Sequence, residues 1–306
     1  MTSARSSEIQ LAARAGSATF STGTAAAPSA GPRTRGRPGS GRGRHQGPLL
    51  RLRGDIPSGL RWGLAVIGSA ALIGLWALLS TVLASDGFAV PTIAQTGRAL
   101  AEMWRDGELW GDFVASLRRV GIGYTISIVL GAGLGVAMGS FASMEALLEG
   151  PVGFLRYIPA SALTPLLLIW LGIDEAPKIT LIVLGTVFYN VLMVADVARN
   201  VPSALINAAY TMGASRTTVL RRVILPHSWP GIIDVARINL AAAWLMLVVS
   251  ELLAAEQGLA FRIIRAQRFR RLDRMFALLL VFGLLGIASD LFLRWLRNRT
   301  SPWAKA

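Results

Sequence analysis

The 306-residue chain contains no cysteine, which removes disulfides, thiolate chemistry and cysteine metal sites. It has two lysines, Lys178 after a proline and Lys305 after an alanine. A phosphate-binding loop needs Gly-Lys-Ser/Thr, so neither lysine can serve one, and the chain carries no ATP-hydrolysing site of that kind. It also has two histidines, His45 in a Gly/Arg-rich stretch and His227 next to Pro226. Neither sits in a Ser–His–acid array, and no metal centre is expected. We assign no catalytic residue, no metal ligand and no cofactor site. Charge is scarce as well. Charged residues make up 16% of the chain against 53% hydrophobic ones. With a mean hydropathy of +0.52, that balance describes a polytopic membrane protein rather than a soluble domain. The net charge of +14 comes from arginines in flanks and loops, which reads as membrane orientation and not as nucleic-acid binding.

Residues 1–60 are rich in Ser, Ala, Gly, Pro and Arg and hold only two acids, Glu8 and Asp55. The run PRTRGRPGSGRGRH has no periodic apolar face, so this segment is expected to be a disordered basic tail. An Arg- and Ser-rich, acid-poor start is also typical of an organelle transit peptide. No cleavage-site pattern leads into the first hydrophobic run, which favours a cytoplasmic tail.

Six apolar runs follow: Trp62–Ser85, Val120–Met144, Tyr157–Ile173, Ile179–Ala195, about Ile232–Leu253, and Met275–Leu293. The first is uncharged and long enough to cross a hydrocarbon layer of about 30 Å. Gly87–Arg119 is mixed, with Leu100, Met103 and Trp104 on one face, and reads as an interfacial element. Gly131, Gly135 and Gly139 recur every four residues, a spacing that lets helix backbones approach closely. Intrachain bundle packing accounts for it more simply than a dimer face does. Pro159 and Pro165 interrupt the third run. Ionisable residues inside such runs are costly and mark candidate pathway positions. These are Glu251 and Asp290, together with Arg237, and we place Trp244 with them on the same segment. The structural alternative is an interfacial carboxylate paired with Arg, and a local pair for Asp234 and Arg237, three apart on one helix. Glu256–Arg274 forms a second amphipathic segment with six arginines.

The most informative stretch is NAAYTMGASRTTVLRRVILP, residues 207–226, a basic island between the fourth and fifth runs. A helix starting near Ser203 would end at Gly213, which suits the left-handed position past a helix end. Ser215 can cap the next helix. Val219, Leu220, Val223 and Ile224 share its apolar face, Arg221 and Arg222 lie away from it, and Pro226 is expected to stop it.

This stretch resembles the EAA loop of ABC importer permeases. That pattern is E-A-A, three residues, Gly, nine residues, then I-x-L-P. Ala208-Ala209, Gly213 and Val223-Ile224-Leu225-Pro226 fall at the right spacings, while Asn207 replaces the Glu and Val223 the Ile. LRYIPASALTPLLLIWLGIDEAPKI is similar to the sulfonate, nitrate and taurine importers, and the resemblance covers about Val90–Trp303. It implies an all-α membrane protein of six transmembrane helices with the type I importer permease fold, like that of methionine-importer permeases. The membrane domain would span residues 61–298, with a family core of about 90–298, and residues 299–306 would form a C-terminal tail. The implied function is the translocation path for a small oxyanion or organic solute of the sulfonate, taurine, nitrate or bicarbonate class, in a bacterial inner membrane. The implied partners are ABC ATPase subunits holding ATP and Mg, an extracytoplasmic solute-binding protein, a second permease copy as a homodimer, and membrane lipid. Asn207, Ala208, Ala209, Gly213, Ala214, Ser215, Leu225 and Pro226 would form the loop that meets the ATPase. The competing class is a gradient-driven secondary transporter, which wants internal repeats and free buried carboxylates. A third class, a non-transporting scaffold, would not need such a loop.

With six spans, the side holding both termini and the basic island carries 18 Lys or Arg and the other side 11. The bias predicts both ends in the cytoplasm. It leaves the arginines between Arg262 and Arg274 outside, where they would face an acidic binding protein or an anionic solute. Topology reporters fused after residue 60 and at Ala306 should therefore signal from the cytoplasm, and one after Ser85 from outside. An external signal from either terminus overturns the orientation.

Overall fold

A computed structural model describes residues 57–82 and 90–305. The basic tail, up to residue 56, lies outside them. Trp62–Ala306 forms one compact unit. Long helices α1 (Ser58–Val82), α3 (Glu108–Ser140), α6 (Glu175–Arg199), α9 (Leu225–Ala254) and α11 (Leu272–Thr300) supply five apolar spans. Short helices join them: α2 (Ile93–Arg105), α7 (Ser203–Thr211), α8 (Arg216–Val219) and α10 (Leu259–Arg268). The sixth crossing is broken. Helix α4 (Ala142–Leu155) and the 160–171 segment, a 3-10 turn leading into α5 (Thr164–Leu171), meet at a bend of 77°. Pro159 precedes that turn and Pro165 occupies the first turn of α5, where its missing N–H is harmless. The pair starts beside the end of α3 and finishes where Glu175 meets Arg119, at the other end of the bundle. It therefore crosses, although not as the single straight run Tyr157–Ile173 that was expected.

Two further expectations change. The mixed segment before the second run is not one interfacial element. Its first part is α2, which buries Thr96, Ala99 and Met103 but leaves Trp104 exposed, edge-on to Trp110. Its second part is the first three turns of α3, which begins at Glu108 rather than Val120 and ends at Ser140, so Met144 belongs to α4. Charged residues are admitted there because carboxylates and guanidinium groups from distant segments meet them.

The centre of the unit is the contact of α3 with α6. Gly131 faces Asn190, Gly135 faces Val191 and Val194, and Gly139 faces Ala195 and Ala198. Apolar burial gives helices little reason to associate in a bilayer, so backbone proximity and buried hydrogen bonds must do so. The Ser127 and Thr186 hydroxyls lie 2.7 Å apart, Asn190 Nδ2 donates to Ser127 (2.9 Å), and Asn239 Nδ2 of α9 donates to Asn190 Oδ1 (2.8 Å). Tyr124 OH donates to the Ala236 carbonyl at 2.6 Å, tying α3 to α9. By contrast α1 leaves nearly all its apolar surface exposed. It is held where Trp76 donates to the Pro91 carbonyl (3.1 Å) and stacks on Phe276.

A Cβ at Gly135 would lie 2.6 Å from the Val191 carbonyl oxygen and 2.7 Å from Val194 Cβ, whereas one at Gly133 meets nothing within 4 Å. Gly135→Ala should cost about 1–3 kcal/mol by overpacking, and Gly133→Ala should be neutral. Thermal unfolding of the two variants in detergent checks the contrast, and equal Tm values would refute this packing.

Candidate functional site

Two clusters occupy opposite ends of the bundle. At one end is the 203–226 hairpin. Helix α7 ends in a paired-bond cap: Gly213 N–H donates to the Tyr210 carbonyl (2.9 Å) and Ala214 N–H to the Ala209 carbonyl (3.0 Å). Gly213 adopts φ +79°, the left-handed value this cap requires. Ser215 then caps α8, its hydroxyl accepting from Thr218 N–H (3.3 Å). Ala209, Val219 and Ile224 are buried against Val136, Val194 and Ile232, so the hairpin is seated on the ends of α3, α6 and α9. Asn207, Ala208, Ser215, Leu225 and Pro226 are exposed, as are Arg221 and Arg222, and Ala214 is half-buried. Leu205, Ala208 and Met212 form an outward apolar face at helical spacing, with Met212 82% exposed. Leu205 and Met212 lie seven residues apart, two helical turns, so a shared face is implicit in the sequence once the helix reaches Met212.

The expected stop at Pro226 does not occur. Helix α8 passes through a π turn at Leu220–Ile224, where Leu225 N–H reaches back to the Leu220 carbonyl, and runs on into α9. The widened turn makes room for a proline ring that would clash in a regular helix. The hairpin's second arm is thus continuous with a membrane span.

Arg237, Trp244 and Glu251 lie seven residues apart on one stripe of α9, so they sit at three levels about 10 Å apart. Arg237 binds Asp290 of α11 (Nε to Oδ1, 3.0 Å) and Asp234 (3.2 Å), and Arg297 binds Asp234 (2.9 Å). Arg294 also pairs with Asp290 (3.4 Å), so the local Asp234–Arg237 pair belongs to a five-residue network joining α9 to α11. Trp244 meets Phe282 of α11 edge to face, with centroids 6.0 Å apart. Each of these contacts is made within the protomer.

Glu251 is the hub of the second cluster and is 1% exposed. It accepts from Ser116 (2.6 Å), Arg119 (2.8 Å) and the Ala260 N–H (2.9 Å). Arg119 also reaches Glu175 (2.7 Å) and the Gln257 carbonyl (2.6 Å). Asp112 accepts from Gly258 N–H (2.8 Å) and Ser116 from Leu259 N–H (2.9 Å). Three successive orphan donors at the start of α10 are therefore capped by three side chains from elsewhere in the chain. Asp112, Ser116 and Arg119 occupy positions i, i+4 and i+7 of α3. This polar stripe is visible in the sequence, but these partners lie 56 to 146 residues away.

Residues 127–302 match the family described as the binding-protein-dependent transport system inner membrane component. The chain belongs to this family. The permease is 36% identical over 241 residues to a probable ABC transporter permease protein of Brucella melitensis, covering 79% of this chain and 97% of that one. It is 32% identical over 259 residues to the taurine transport system permease protein of Escherichia coli, covering 83% and 94%. Its fold matches the inward-facing MetNI methionine ABC transporter with a TM-score of 0.56 at 20% identity, over 63% of this chain and 95% of that one. An alginate-importing bacterial ABC transporter matches at the same TM-score and 14% identity, over 79% and 92%. The permease has the type I importer fold, spans a membrane several times and is a non-enzymatic transport subunit.

Glu251 balances a buried guanidinium, so its loss should be severe. Glu251→Gln should cost about 3–5 kcal/mol, as when one partner of a buried pair is removed. Gly258→Ala should be comparably damaging, because its Cβ would overlap the Glu251 carboxyl and φ is +138°. Reduced Tm and yield of assembled permease in both variants are the expected readouts, and a Glu251→Gln protein of normal Tm would contradict the hub.

Proposed function

We propose that the permease lines the translocation path for a small oxyanion or organosulfonate and couples it to separate ATPase subunits through the 203–226 hairpin. The observation that carries this reading is the outward apolar face of Leu205, Ala208 and Met212 on a hairpin whose other arm continues into a membrane span. Exposed apolar residues on a rigidly seated element are what an obligate partner covers. Asn207, Ala208, Gly213, Ser215, Leu225 and Pro226 would lie at or beside that contact. The ATPases would bind ATP and Mg, and their closure would push the hairpin and α9 together in alternating access. A second copy of the permease would complete the path, and an external binding protein would deliver solute. The hairpin end and both termini would face the cytoplasm. The solute class follows relatives named for aliphatic sulfonates, taurine and bicarbonate.

A gradient-driven transporter finds less support. Glu251 and Asp290, the carboxylates that would have to take up and release an ion, are both held by arginine.

Met212→Glu and Leu205→Asp should each lower solute-stimulated ATPase activity and uptake about tenfold or more while leaving the permease's Tm unchanged. Gly213→Val, strained by about 1–2 kcal/mol at positive φ, should uncouple ATPase activity from uptake or prevent ATPase binding. Reconstitution in liposomes with the ATPase measures all three. Wild-type complex formation and transport in all three variants would remove the hairpin from the coupling role.

A further inference from the structure

At the end opposite the hairpin, a cavity of about 370 Å³ lies between α2, α10 and the start of α11. That volume falls within the roughly 300–1,000 Å³ of small-molecule pockets. Four guanidinium groups, from Arg262, Arg265, Arg271 and Arg274, face a single lining carboxylate, Glu108. Three of the four have internal partners. Arg262 pairs with Asp112 and with Glu108 (2.6 Å), Arg271 with Asp273 (2.8 Å), and Arg274 with the same Glu108 at 3.4 Å. The partners leave donors over. Arg265 is exposed and has no carboxylate partner among the described residues, and Arg274 Nε is buried without an acceptor.

The rest of the wall is apolar, formed by Met103, Ala266 and Phe269. Backbone strain adds a further pointer. Arg270 holds φ +52°, the one positive value at a non-glycine among the described residues. It closes α10 in the kind of cap that ends α7, with Arg271 N–H on the Ala266 carbonyl (2.9 Å). A side chain costs about 1–2 kcal/mol there, and such strain collects at ligand sites. The turn it makes joins α10 to α11, and residues of both helices line the cavity.

We propose that this cavity is an outer binding site for a small organic sulfonate carrying a short apolar tail. Its oxygens would meet the guanidinium groups of Arg265 and Arg274, and its carbons the exposed ring of Phe269. The inference rests on the solute class and orientation argued above and adds a place where the permease itself selects. A tail bearing an ammonium group is disfavoured among four arginines, so an alkanesulfonate should bind better than taurine.

The test uses the permease purified with its ATPase, without binding protein, titrated with 1-butanesulfonate, taurine and sulfate by calorimetry. Butanesulfonate should bind tightest. Arg265→Gln should weaken it about tenfold or more with unchanged Tm, and Arg265→Lys by less. Phe269→Ser should weaken butanesulfonate but not sulfate. The assignment is overturned if wild type binds no butanesulfonate, if Arg265→Gln binds it normally, or if sulfate binds equally well and Phe269→Ser has no effect. It is also overturned if Arg265→Gln lowers only the affinity for the binding protein, which would make the cavity a docking contact for an acidic side chain. Sulfonate uptake by the wild-type complex in liposomes separates the two readings. Uptake without cavity binding leaves the transport reading standing and removes this site, and cavity binding without uptake does the reverse.

Discussion

Helices in a bilayer gain little by hiding apolar surface from one another, because lipid is as apolar as the next helix. The fold depends on how this chain meets that constraint, through the close contact of α3 and α6. Glycine at 131, 135 and 139 brings the two backbones near enough for Ser127, Thr186 and Asn190 to share buried hydrogen bonds, and Asn239 draws α9 into the same network. The small residues come first in this logic. With larger side chains at the three positions the hydroxyls and amides could not reach each other, and each would become an unpaired polar group in an apolar medium. Exposed α1, by contrast, meets the rest of the unit at Trp76, which donates to Pro91 and stacks on Phe276.

The end opposite the hairpin is organised differently, around buried charge. Arg119 is 3% exposed and would be untenable alone. Glu251 and Glu175 compensate it from α9 and α6, so one guanidinium ties three helices. Glu251 also accepts from the Ala260 N–H, and Ser116 bridges Glu251 to the Leu259 N–H. Fixing the spans at this end and fixing the start of α10 are therefore one event. Gly258 is required because the Glu251 carboxyl occupies the space where a Cβ would project. The position of α10, and with it of Arg262 and Arg265, follows from a pair buried one layer deeper.

How much of this could be read from the sequence varies with the range of the interaction. The Gly213 turn and Ser215 cap were legible because both are set within a few residues, as was the apolar face of Val219 and Ile224. The glycine spacing on α3 announced a close contact, though not that α6 would supply it. The span count was readable from apolar runs, but their ends were not. Glu108, Asp112 and Arg119 looked like interfacial charges because Arg262, Gly258 and Glu251 lie far along the chain. Pro226 looked like a stop because local rules allow no proline in a regular turn, and a π turn is not a regular one. The arginines from 262 to 274 looked wholly surplus, yet Arg262, Arg271 and Arg274 are spoken for by Glu108, Asp112 and Asp273. Asp273 is a local partner of Arg271, but those of Arg262 and Arg274 lie across the fold.

The continuity through Pro226 bears on how force would travel. Had the helix stopped there, the hairpin would be joined to the span by a flexible link, and a push on Met212 would be absorbed in the link. Instead α8, the π turn and α9 form one rod from Arg216 to the Glu251 hub. Its hairpin end is packed on α3 and α6 through Val219, Ile224 and Ile232. Its middle is fastened to α11 by Arg237–Asp290 and Trp244–Phe282. Pro230 lies inside α9, within the part packed on the hairpin, and bending beyond it would break a buried contact. A displacement at the hairpin would then be felt at the opposite end, about 45 Å or more away along the helix, where Glu251 holds α10 beside the basic cavity. Coupling through the hairpin, as proposed, would need no chain of small adjustments across the bundle, because a single helix, unbroken at the residue expected to break it, touches both ends.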